Sequence, residues 1–117
     1  MKNILISVFA LATILATSCE PSVNMFDCDG STPTYTADIK AIIDASCATS
    51  GCHDATTMAD GRDLTTYAKV STDSKNSNFL GSIQQLDQYT AMPIGSPKLS
   101  DAQIETISCW VQGGSPE

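Results

Sequence analysis

The chain has 117 residues, room for one small domain, with a formal net charge of −7 and aromatic residues at only 6%. That acidic balance argues against a nucleic-acid surface, which selects Lys and Arg, and makes an anionic membrane a poor electrostatic partner. It would steer a basic protein partner favourably, but acidity is equally an ordinary means of staying soluble and names no partner by itself.

The chain opens "MKNILISVFALATILATSC", with Lys2, an apolar run from Ile4 to about Ala16, and small residues just before Cys19. This is the pattern of a secretory signal. The run falls short of the roughly 20 residues that a membrane span needs. The alternative is a buried N-terminal helix. "LATSC" resembles the lipobox of bacterial lipoproteins, with Leu15 one place further out than in the commonest version. The resemblance implies a signal peptide over 1–18, lipidation of Cys19, and an exported, membrane-anchored protein in the periplasm or at the cell surface. In an oxidising compartment cysteines are oxidised, lipidated or ligated, so each of the five needs an explanation.

Residues 19–33 include "EPSVNMFDCDGSTP", rich in Pro, Gly, Asp and Ser and without periodicity, and read as a flexible tether. A folded domain is expected over 34–117. "TADIKAIIDASC" predicts a helix from about Ala37 to Ala45 or Cys47, with Thr36 as cap, Asp38 near the positive end, and Ile39, Ile42 and Ile43 on one face. "HDATTMADGRD" predicts a loop broken at Gly61, and "LTTYAKV" and "NFLGSIQQL" two short helices. "QYTAMPIGSPKL", with two prolines and a glycine between Pro93 and Pro97, predicts a stiff loop. The clearest element follows. Ser100 and Gln103 form a capping box, Ile104, Ile107 and Val111 share one face with Trp110 at its edge, and Gly113–Gly114 ends the helix. Cys109 is turned about 160° from Val111, away from that face. With no alternating apolar pattern, the expected class is all-α, small and loop-rich. So thin a core usually needs a staple or a cofactor.

The chemistry concentrates in "CATSGCH", residues 47–53, where the only histidine directly follows the second of two cysteines. Structural zinc asks for four converging ligands, and Cys28 and Cys109 are isolated singles. A disulfide framework is the stronger alternative. Four cysteines allow three pairings, of which Cys47–Cys52 with Cys28–Cys109 is sterically sensible, and the protein would then be a stapled binding module with His53 on its surface. Covalent haem makes a third demand: two thiols for the two vinyl groups, and a histidine after the second thiol to reach the iron. The familiar spacing has two residues between the cysteines; here there are four, with Gly51 where a bulge would be tightest. Methionine is then the obvious second axial donor. Met58 follows His53 too closely, Met25 lies in the tether, and Met92 stands in the stiff loop before Pro93.

An amphipathic helix into Cys…Cys-His, then "GRDLTTYAKV", then "MP" and the capped helix "SDAQIETISCWVQGG" is similar to small bacterial monohaem cytochromes c over roughly residues 35–114. The resemblance implies a cytochrome c-like helical fold wrapped around one haem c, bound through Cys47 and Cys52, with His53 and Met92 as axial iron ligands. It implies that Ile39, Ile43, Ile107 and Trp110 pack where the first and last helices cross, and that Leu64 and Tyr67 line the haem. It leaves Cys28 and Cys109 as a disulfide pair. The implied function is one-electron transfer between redox partner proteins rather than enzymatic turnover, since a six-coordinate iron has no open position. If Met92 were not bound, a five-coordinate gas sensor would be the alternative; Arg62 is no distal base, so peroxidase chemistry is disfavoured.

Overall fold

The computed structural model describes residues 22–117; the signal over 1–18 and the lipidation site Cys19 lie outside the described residues. The described residues are helical, with no strand among them. The first helix starts earlier than expected. Thr34 is its cap, the hydroxyl accepting the Ala37 N–H while the Asp38 carboxylate accepts the Thr34 N–H at 2.8 Å. Thr36 is an exposed residue inside the helix. The reciprocal partner decides the start, because Asp38 reaches back to Thr34. The opening turn, Tyr35–Ile39, is π-helical and continues into α1, Lys40–Ser46. Tyr35, Ile39 and Ile43 recur every four residues on its buried face, and Ile42 is half-buried at the edge.

Helices α2, Tyr67–Asp73, and α3, Ser77–Gln84, follow a 3₁₀ turn at Ala59–Gly61. Leu64 and Thr65 stay out of α2. The Asp63 carboxylate accepts both the N–H and the hydroxyl of Thr65, a local alternative to helical pairing. Helix α4, Asp101–Gln112, carries the expected capping box from Ser100 and Gln103. Ile104 and Ile107 are buried as expected. Trp110, expected at the edge of that face, is instead fully buried. The C-terminal tail covers it: the indole N–H donates to the Pro116 carbonyl at 2.7 Å, and the Ser115 N–H to the Trp110 carbonyl at 2.9 Å. The same Pro116 carbonyl accepts the Tyr35 N–H at 2.9 Å, so α4 and the π-helical turn meet at one point.

The described part of the tether is laid against the domain. Val23 and Phe26 pack on the core. The buried Gln84 side chain pairs with the Asn24 backbone in both directions, at 2.8 and 2.9 Å, as a neighbouring strand would. Thr32 passes so close to the end of α4 that a Cβ at Gly113 would lie 2.3 Å from its methyl group. Between these contacts the Cys28–Cys109 disulfide joins strap to helix across 81 residues. Cys109, facing away from the core stripe, meets the strap there. In the chain-entropy account, closing a loop of this length stabilises a fold by about 4 kcal/mol. The Cys28→Ser/Cys109→Ser variant should therefore lose about 2–4 kcal/mol in urea unfolding yet keep its helical circular dichroism, because Gln84 and the apolar contacts still hold the strap.

Candidate functional site

The segment 47–53 leaves α1 under tight local control. Cys47 and Ala48 both donate to the Ile43 carbonyl, and the chain turns back at Gly51, whose φ of +83° suits glycine. Cys52 N–H bonds to Thr49, and His53 N–H to the Cys47 carbonyl at 3.1 Å, which closes the bulge between the two thiols. Asp54 organises the outer side. Its carboxylate accepts the Gly51, Thr56 and Thr57 N–H groups, and these bonds, led by Thr57, hold it well below the usual carboxylate range.

His53 is buried, and its Nδ1 lies 3.2 Å from the Arg62 carbonyl. A carbonyl can only accept, so Nδ1 is the donor, and in the neutral ring Nε2 keeps its lone pair. The backbone repeats the tie, with Leu64 N–H donating to the His53 carbonyl at 2.9 Å and Ala59 N–H to that of Cys52. Cys47 and Cys52 are free, half-buried thiols. Burial, with a smaller contribution from Cys52, pushes the Cys47 thiol up to about 11, so at neutral pH it is an uncharged S–H.

These groups open onto one cleft of about 710 Å³, the size of a small-molecule or cofactor site. Leu64, Phe79, Ile83 and Leu99 supply apolar wall, and Met92 lines the same cleft. Met92 arrives by a folded return from α3. Gly81 lets the Tyr89 ring lie against the helix, since a Cβ there would meet the ring at 2.3 Å. Leu86 N–H then bonds to Gly81, Tyr89 N–H to Leu86, and Met92 N–H to the Ser82 carbonyl at 3.0 Å. Met25 and Met58 are exposed and do not line the cleft.

One expected lining residue is placed elsewhere. Tyr67 packs behind the site, its ring centroid 5.4 Å from that of Tyr35, and its hydroxyl donates to the Ser115 carbonyl. The tail claims it, which spacing alone does not show. Other residues at the site had no signal in the sequence. Arg62 pairs with Asp73 and, at 3.3 Å, with Asp60, and all three line the cleft. Phe79 and Leu99 line the cleft as well. Cys47 and Cys52 are not bridged to each other, so of the two bridges a stapled module would use, only Cys28–Cys109 is formed. Among the described residues no three His, Cys, Asp or Glu side chains gather as a metal cage. No family model, curated protein or solved structure matches the chain.

Two unbridged thiols, an imidazole and a thioether thus line one cleft with a largely apolar wall. An imidazole and a thioether are donors that suit a transition metal. In protein carrying Cys52→Ser, alkylation of Cys47 by iodoacetamide should be slow at pH 8, where about one thiol in a thousand is ionised, and should accelerate about tenfold per pH unit up to about pH 11. Gly81→Ala should cost about 1–3 kcal/mol in thermal or urea unfolding, because the Tyr89 ring cannot stay where it lies.

Proposed function

We propose that the chain is a lipid-anchored monohaem c-type cytochrome, a one-electron carrier between donor and acceptor proteins in an envelope electron-transfer chain. The observation that carries this reading is the shared cleft: Cys47, Cys52, His53 and Met92 line it together although Met92 stands 39 positions beyond His53. The residues present fit the group. Cys47 and Cys52 would hold the porphyrin edge as thioethers, each S–H adding across a vinyl group without any oxidant. The Cys47 thiol, kept uncharged by its burial, resists premature alkylation. His53, whose Nδ1–H donates to the Arg62 carbonyl, would offer Nε2 to the iron, and that hydrogen bond fixes the ring's orientation. Met92 would offer its sulfur to the same iron, and Leu64, Phe79 and Leu99 would keep water from it.

The haem supplies reversible one-electron chemistry at iron, with methionine ligation raising its potential. An iron held by both His53 and Met92 would have no open place for substrate, which favours a carrier over an enzyme. The lipid at Cys19 would keep the carrier at the membrane, and the acidic surface gives no purchase for nucleic acid. A haem-free binding module has no use for His53 beside Cys52 or for an apolar cleft with two unbridged thiols.

The test is the visible spectrum of the mature protein made with cytochrome c maturation factors. A sharp reduced α-band, haem that survives acid-acetone extraction, and a weak far-red band in the ferric state are expected. Cys47→Ser/Cys52→Ser should make any pigment extractable, and Met92→Ala should abolish the far-red band and lower the potential. A colourless protein would sink the proposal.

A further inference from the structure

Met92 is tied to the end of α3 through both of its backbone polar groups. Its N–H donates to the Ser82 carbonyl at 3.0 Å, and its own carbonyl accepts from Gln85 Nε2 at 3.2 Å. The first bond is backbone to backbone and would survive most substitutions. The second depends on one side chain.

Gln85 occupies an unusual position for its type. It ends α3 in the left-handed region, φ +57° and ψ 46°, with its N–H turned back to the Gly81 and Ser82 carbonyls. Helix ends of this geometry favour glycine or asparagine, because a longer side chain there carries a steric cost. Conformation alone therefore does not explain a glutamine here, whereas its bond to Met92 does. The left-handed turn directs the side chain from the helix end towards the returning loop. A carboxamide then spans the gap to a carbonyl seven residues on, next to Pro93, which has no N–H of its own to offer.

From this we infer that Gln85 is a positioning residue for axial ligation: it holds the Met92 backbone so that the thioether stays directed into the cleft. The inference rests on the haem reading proposed above. A protein that loses this hydrogen bond keeps Met92 but spends more time with the thioether away from the iron, and a small competing ligand then binds more readily. Loss of one such bond corresponds to a shift of about fivefold in that equilibrium.

The experiment titrates imidazole into the ferric, haem-loaded full chain, comparing wild type with Gln85→Ala and with the isosteric Gln85→Glu, whose carboxylate cannot donate at neutral pH. Both variants should bind imidazole about fivefold more tightly, show a weaker far-red band and have a lower midpoint potential. A purely structural role would lower unfolding stability without changing these readouts. If wild type shows the far-red band and both variants match it in imidazole affinity and potential, the role of Gln85 is refuted while Met92 ligation stands. If wild type holds covalent haem but lacks the band, Met92 is not a ligand and the inference falls with that reading. Should Gln85→Ala fail to accumulate, Gln85→Glu decides alone.

Discussion

A single acceptor, the carbonyl oxygen of Pro116, ties the start of the first helix to the end of the last. It takes the Tyr35 N–H and the Trp110 indole N–H together. Around it the tail collects further partners, the Tyr67 hydroxyl on the Ser115 carbonyl and the Ser74 hydroxyl at 2.9 Å from that of Ser115. Fully buried Trp110 has its one polar atom satisfied this way, which is the condition for placing an indole at the centre of so small a core. With that junction set, Tyr35, Ile39 and Ile43 lie along a fixed line, and the line ends four residues later at Cys47. The cleft inherits its position from the opposite end of the chain.

The cleft is lined chiefly by two irregular segments with helices behind them. One, leaving α1, carries both thiols and the imidazole, and its shape depends on backbone bonds into Asp54 and on the Arg62 carbonyl. The other returns from α3 with Met92. Each segment would be costly to order for its own sake, because loop residues give up backbone entropy while burying little apolar surface. Each is stiffened by side chains acting on the backbone: Asp54 on one, Gln85 and the Tyr89 ring over Gly81 on the other. Rigid presentation of a few donors from loops on a helical frame is how small scaffolds hold a demanding group.

What could be read from the sequence followed the range of the interaction. The capping box of Ser100 and Gln103 spans three residues and was legible, as were the apolar faces of α1 and α4. Thr34 was legible in principle, through Asp38, but the nearer Thr36 masked it. Trp110 packs with Ile39, Ile43 and Ile107 as expected, though the tail buries it more deeply than its edge position on the stripe implied. The tail also holds Tyr67 away from the cleft that the resemblance implied it would line. The tether reads as loose by composition, yet Gln84 reaches it across 60 residues, a contact that no local pattern announces. Cys47, Cys52 and His53 declared themselves by adjacency. Met92 was singled out by elimination, and the sequence offered nothing about the helix end that holds it.

The strap has a geometric consequence for any lipid at Cys19. Asn24 is clamped to Gln84, so only five peptide steps separate the attachment point from the rigid body, a reach of at most about 18 Å whatever path they take. A domain so tethered would skim the bilayer instead of ranging across the envelope. If the chain is the carrier proposed above, its encounters with partners would be sideways collisions within a thin layer, and a partner rooted in the same membrane would be favoured over one diffusing freely in the space beyond.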